Sequence, residues 1–308
     1  MDYTQLLNTM IVFVVLMTIG YVGARKKMLG SEFTQAASKL VLNVFLTASV
    51  LNSVIGDQPD LSASQLWHVM LLTSLSMLLC YILGAIVIRI FRSGGDDSAI
   101  MELLSSVPNT MFVGLPVVQE LFGSTAVLYL AMSCIPFNVL LYSYGVWRLK
   151  SSKGRKGESI RIKDVVTIPF IATIVSLFVF FFRIPMPGAV TKLITTLAPA
   201  TMPISMLVIG STLGRVHLLD AFREKRVYLV CLFRLIVAPL LAWFALGFLT
   251  SDPILLATCV IIAGCPSGVI CTVMALQYGH NAELSSKGVL ASTTLSMLTL
   301  PIIASFLV

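Results

Sequence analysis

The chain has 308 residues, of which 57% are hydrophobic and 11% charged, against about 25% charged in an ordinary soluble domain. With a mean hydropathy of +0.95, it has too few polar residues to cover a water-facing surface, which excludes a soluble enzyme, a nucleic-acid binder and a disordered chain. The net charge of +7 is read as a record of orientation in a lipid bilayer and not as affinity for nucleic acid.

A membrane helix needs about 20 mainly apolar residues, and ten apolar runs follow one another along the chain. The first covers residues 6–24. An acid, Asp2, precedes it and Arg25, Lys26 and Lys27 follow it. A cleavable signal has the opposite polarity, so a retained helix with an outside N-terminus is expected. Runs two and three cover 38–55 and 65–91, and run four covers 100–122 with Pro108 inside it. Run five covers 124–147, and a basic polar stretch, 150–163, comes next. Runs six and seven cover 164–182 and 189–213. Gly210 and Gly214 form a small-xxx-small pair near the end of run seven, read as internal packing before a dimer interface. Run eight, 227–249, holds Arg234; run nine, 253–278, holds Pro266; run ten covers 285–307.

The basic residues give the topology. With the loop after run one placed in the cytosol, 17 of the 21 Lys and Arg residues fall on the cytosolic side and 2, Arg183 and Lys192, on the outer side. Such a bias is the signature of cytosolic loops, and it places both termini outside. Five runs per half is an odd number, so two related halves run in opposite directions, a recurring plan of secondary transporters. Aligning Pro108 with Pro266 also aligns Gln119 with Gln277, each 11 residues on, and Lys39-Leu40 matches Lys192-Leu193.

A proline inside a helix removes a donor and frees the carbonyl one turn earlier. In hydrocarbon such a break must be covered by protein or line a wet cavity. Pro108 lies among Ser105, Ser106, Asn109 and Thr110; Pro266 lies among Gly264, Ser267 and Gly268. The expectation is a pair of broken helices whose half-helix ends meet near the midplane, with free N–H groups suited to an anion. The acids are read as confined to loops and segment ends, which disfavours a carrier of cations and leaves no carboxylate relay for protons. Arg234 is the one deep charge, either a functional residue or a side chain snorkelling to the interface. Six cysteines without a CxxC pair read as packing residues, and three scattered histidines as segment-end or loop residues. No GxxxxGK[ST] string occurs, and neither metal nor cofactor is expected.

Pro108-Asn109-Thr110-Met111-Phe112-Val113-Gly114-Leu115-Pro116 resembles the broken fourth helix of the auxin efflux carrier family, which includes the plant PIN carriers and many bacterial permeases. Cys265-Pro266-Ser267-Gly268-Val269 with Gln277-Tyr278-Gly279 resembles its second broken helix, and Arg234 before Pro239 its eighth helix. The likeness spans essentially the whole chain. It implies an all-α integral membrane fold of ten helices in two inverted five-helix repeats, with proline-broken helices four and nine crossed, as in bile-acid symporters. The repeats are then 1–148 and 164–308, joined by a short basic cytosolic loop, 149–163. Helices 1, 2, 6 and 7 form a scaffold, and helices 3–5 and 8–10 a moving transport domain. The short loop favours a bacterial-type permease of the inner or plasma membrane.

For substrate contacts the resemblance points to Pro108, Asn109, Thr110 and Gly114 from one half and Pro266, Ser267 and Gly268 from the other. Asn43 and Thr47 line the scaffold side, although Thr47 stands where many members have a proline; Arg234 completes the set. The expected partners are a small organic anion, the lipid bilayer and a second copy in a homodimer, without nucleic acid. The function expected is a secondary transporter for a carboxylate such as malate, malonate or an auxin-like weak acid, and not an enzyme. A sodium-coupled carrier of the bile-acid-symporter type and a non-transporting anion sensor are the alternatives.

Overall fold

The computed structural model describes residues 3–55, 61–91, 96–152, 168–215 and 218–307. Among these residues the secondary structure is helical, apart from one isolated antiparallel bridge. Helix α1 is Tyr3–Arg25, α2 is Ser31–Ile55, α3 is Ala63–Phe91 and α4 is Asp96–Ser106. Next come α5 (Thr110–Ser152), α6 (Ile168–Phe182), α7 (Gly188–Gly214) and the short α8 (Leu218–Arg223). Helices α9 (Lys225–Gly247), α10 (Pro253–Gly264), α11 (Ile270–Gln277) and α12 (Ala282–Leu307) complete the order.

Among the described residues the apolar runs fall on these helices, apart from the interruptions in runs four and nine. Six helices among the described residues, α2, α3, α5, α7, α9 and α12, are long and apolar enough to cross a membrane. Runs four and nine are not continuous. The first divides into α4 and the start of α5, the second into α10 and α11, so each piece is shorter than a full span. Within α5, Gly123 has φ 73° and ψ −159°, a conformation open to glycine and costly for other residues. It separates the end of run four from run five. Most of the basic stretch 149–163, and the first residues of run six, lie outside the described residues. Large apolar side chains such as Ile19, Leu71, Phe178, Leu240 and Leu298 remain exposed on the outer faces of the spans. These faces require hydrocarbon as their solvent.

Helices α1 and α7 pack backbone to backbone. A Cβ built on Gly210 would come within 1.9 Å of the Met17 carbonyl oxygen, and one on Gly214 within 2.6 Å of the Tyr21 oxygen. The Gly210/Gly214 pair therefore serves internal packing. Helices α2 and α7 are joined by hydroxyls instead. The Thr201 hydroxyl donates to the Phe45 carbonyl at 2.9 Å, and the Ser49 hydroxyl to that of Ala198 at 3.1 Å. Both acceptors lie at irregular turns, a π turn at Val41–Phe45 and a 3₁₀ turn at Ala198–Ala200. Further π turns occur at Thr110–Gly114 and Leu141–Gly145 in α5 and at Phe233–Val237 in α9. Such turns re-aim the side chains that follow and recur at functional sites. All six cysteines are buried and free, in keeping with a packing role.

Candidate functional site

The site is built from two helix breaks and what satisfies them. Pro108 carries no N–H, so the Leu104 carbonyl has no helical donor; Pro266 does the same to Ile262. Helix α4 ends at Ser106 and α10 at Gly264, and the chain is extended at Cys265 (φ −61°, ψ 145°). The two extended stretches lie antiparallel, with Pro108 opposite Ser267. The Asn109 N–H donates to the Pro266 carbonyl at 2.8 Å, and the Gly268 N–H to that of Val107 at 2.9 Å. Each break thus supplies the other with main-chain partners that hydrocarbon would not provide.

Side chains complete the pairing. The Ser267 hydroxyl, fully buried, donates at 2.7 Å to the Leu104 carbonyl, the one released by Pro108. Its N–H donates to Ser292 Oγ of α12 at 3.1 Å. Arg234 enters from the π turn of α9 with no exposed surface. Its Nε–H donates to the Cys265 carbonyl at 2.8 Å and Nη2 to that of Ile262 at 3.0 Å, the one released by Pro266. Nη1 reaches the Ser105 and Ser106 carbonyls at 3.4 and 3.3 Å. One guanidinium therefore caps the C-terminal ends of both α4 and α10, where the helix dipoles are negative. Arg234 is neither at the interface nor snorkelling, and all four of these bonds go to main-chain carbonyls.

The opposite ends of the breaks are helix starts, α5 and α11, whose first N–H groups have no acceptor within the helix. Asn109 stands before α5, more than nine-tenths buried, yet its side chain does not cap that helix. Thr110 is buried beside it. A Cβ at Gly114 would lie 3.0 Å from Cys265 Sγ, so a small residue here lets the second break come close. Pro108, Asn109, Thr110, Gly114, Pro266, Ser267, Gly268 and Arg234 thus gather at one place. On α2, the turn containing Asn43 packs against the Thr110–Gly114 turn. Asn43 itself is exposed, and the Thr47 hydroxyl one turn on is buried without a hydrogen-bond partner.

Burial adds one feature to the acids read as lying at segment ends. Glu102, in the second turn of α4, is 2% exposed. Tyr144 donates to its Oε1, and Arg148 Nε to its Oε2 at 2.6 Å. Arg148 Nη2 also reaches Ser98 Oγ at 3.1 Å. Helix α4 begins at Asp96, earlier than the apolar run suggested, and this draws Glu102 inside. Its partner lies 46 residues away, beyond the reach of any spacing rule. The pair is neutral, so it leaves no free negative charge to attract a cation. Ser292 is a second residue that sequence reasoning missed; only its place in a Ser/Thr-rich part of run ten marks it.

Comparison with known proteins adds the remaining finding. The model of a family described as membrane transport protein matches residues 5–167 and 156–304. An uncharacterized transporter of Methanothermobacter thermautotrophicus is 24% identical over 298 residues, covering 96% of each chain. An uncharacterized transporter of Methanocaldococcus jannaschii is 22% identical over 305 residues, with 96% of each chain covered. The uncharacterized transporter YfdV of Escherichia coli is 23% identical over 224 residues, 68% of this chain and 69% of its own length.

Proposed function

The chain belongs to the membrane transport protein family, the auxin efflux carriers that its sequence resembles, and from that premise we propose that it is a secondary transporter of a small organic anion. The observation that carries this reading is the meeting of the two breaks. Arg234 neutralises the negative ends of α4 and α10, and the start of α5 is left as the positive side, whereas at α11 the Cys271 and Thr272 N–H groups already reach the Gly268 and Val269 carbonyls. A carboxylate fits that side; a cation does not. Asn109, buried and with its amide not used as a cap, is the side chain to orient the carboxylate, with Thr110 beside it and the α2 turn of Asn43 opposite, Thr47 following one turn on.

In this reading the chain consists of two inverted five-helix repeats, 1–148 and 164–308, whose broken helices cross at Pro108 and Ser267. Helices α1, α2, α6 and α7 act as the scaffold against which the rest moves, so that the crossing faces each side of the membrane in turn. Both termini lie outside, as the basic residues indicate. Arg234 also bears on the sodium-coupled alternative. The carbonyls of Ile262 and Cys265 already have a permanent cationic donor, so transport independent of sodium is expected.

The test is flux in proteoliposomes with a panel of organic acids, in sodium and in choline media. Accumulation of a carboxylate with an accompanying current supports the reading. Saturable binding without accumulation would instead make the chain a sensor. A correctly folded preparation that neither binds nor moves any acid of the panel would remove the proposal.

A further inference from the structure

The first part of α2, Ser31–Leu40, is amphipathic. Thr34 and Ala37 are buried, and there the Thr34 hydroxyl meets that of Ser211 on α7 at 2.7 Å. On the opposite side Glu32, Gln35 and Lys39 are exposed, at the i, i+3, i+7 spacing of one helix face. Asn43 continues that line one turn on and is exposed as well. The exposed apolar residues Phe33 and Leu40 form a separate strip beside it.

The depth of this polar line decides what faces it. Helix α2 has 25 residues and is about 37 Å long at about 1.5 Å per residue, against about 30 Å of hydrocarbon. With equal overhang at both ends, Lys39 lies about 8 Å inside the hydrocarbon zone and Asn43 about 14 Å, near the midplane. A lysine that faced lipid there would snorkel to the headgroups, which its stem allows. Asn43, one turn deeper, has no such reach, and in hydrocarbon its amide would go unpaired. The face that carries both is therefore wet. Its inner end is the turn that packs against Thr110–Gly114.

We propose that this face of α2 lines the aqueous approach from the cytosol to the meeting of the breaks, and that Lys39 is the guiding cation that draws the anion along it. The proposal rests on the anion-transport reading above and on the cytosolic placement of the loop before α2. Among the described residues no acid pairs with Lys39, so its charge is not neutralised. Arg234, by contrast, is spent on the Cys265 and Ile262 carbonyls. Glu32 stands two turns nearer the mouth, where salt screens it. At the depth of Lys39 the low-dielectric surroundings strengthen the field of a charge and raise the local concentration of its counter-ion.

The test replaces Lys39 by cysteine. The six native cysteines are buried, so the parent chain is the unlabelled control. Charged methanethiosulfonates, which attack a thiol from water, are added to the cytosolic face of inside-out vesicles. A trimethylammonium reagent returns a positive charge and a sulfonate reagent brings a negative one; each forms a mixed disulfide and releases methanesulfinate. Both should label the introduced thiol. Carboxylate uptake, about tenfold lower in Lys39→Cys than in the parent, should return with the trimethylammonium group and not with the sulfonate. Lys39→Gln should show the same loss, and its uptake should no longer fall as salt is raised, as that of the parent does. A lysine with a structural role alone gives none of this charge dependence. A thiol that neither reagent reaches in a folded chain overturns the proposal, for then lipid covers the face. Equal restoration by both reagents, or uptake by Lys39→Gln equal to that of the parent, overturns it too and leaves anion transport standing. Should Lys39→Cys fail to fold, the salt dependence of Lys39→Gln decides. A folded parent chain that moves no acid removes the transport reading and the guiding role with it, while labelling of the thiol still tells whether the face is wet.

Discussion

Replacing Arg234 by methionine separates a residue that holds the helix breaks from one that holds the substrate. Methionine has a similar reach but neither charge nor donor. Two short bonds are lost, at 2.8 Å to Cys265 and 3.0 Å to Ile262, together with two longer ones at 3.4 and 3.3 Å. Hydrogen bonds to charged groups contribute about 1.5–3 kcal/mol each, so the short pair is worth roughly 3–6 kcal/mol. Against this, removing a buried guanidinium relieves a desolvation cost of several kcal/mol, and those terms nearly cancel. The carbonyls left behind decide the sign. Ile262 keeps a weak bond from the Cys265 N–H at 3.4 Å, but the Cys265 carbonyl loses its donor, at about 1–3 kcal/mol. The two negative helix ends then face each other uncompensated. A net loss of about 1–4 kcal/mol is expected, read as a melting temperature lower by several degrees in detergent. Arg234→Lys, which keeps the charge but cannot span both helix ends, should fall between parent and Arg234→Met. The reasoning is refuted if Arg234→Met melts with the parent while substrate binding alone disappears, for that is the behaviour of a ligand contact.

Other consequences follow from the same geometry. Ser267→Ala removes the donor of the carbonyl released by Pro108 and should cost about 1–3 kcal/mol in thermal stability, whereas a surface serine such as Ser305→Ala should cost almost nothing. Gly210→Ala would put a methyl group 1.9 Å from the Met17 carbonyl; because backbone and not a flexible side chain is in the way, separation of α1 from α7 should cost about 1–3 kcal/mol or more, seen as loss of monodisperse protein in size-exclusion chromatography. The Glu224 carboxyl, which caps α9, is held below its ordinary value chiefly by its hydrogen bond from Arg226. Its contribution is complete above the unfolded value near about 4.3 and is lost as pH falls through the lowered one, so Glu224→Gln should weaken the chain above that range and should blunt the acid limb of a melting-against-pH curve.

The extent to which the sequence foretold this arrangement differs from residue to residue. Apolar runs mark helices because hydrocarbon leaves the chain little else, and the two prolines mark interruptions because their covalent chemistry does. Asn109 and Ser267 were visible for the same reason, being polar groups next to a forced break. What stayed hidden depends on distance in the chain. Spacing does not reveal that Arg234 reaches four carbonyls on two other helices, or that Glu102 meets Arg148 from 46 residues away. The π turns that aim Arg234 and Tyr144 leave no composition signal, since one extra residue in a turn is a consequence of packing. Thr47 was named from a resemblance; its unpartnered hydroxyl comes from the fold.

The central claim is that the meeting point of the two breaks binds and moves an organic anion, with Asn109 as its orienting side chain. Carboxylate-driven uptake and current in proteoliposomes of the parent chain and of Asn109→Ala, at matched reconstitution and equal melting temperature, test it most directly. The account predicts uptake by the parent and at least a tenfold loss in the variant. Equal uptake by the two chains would contradict it.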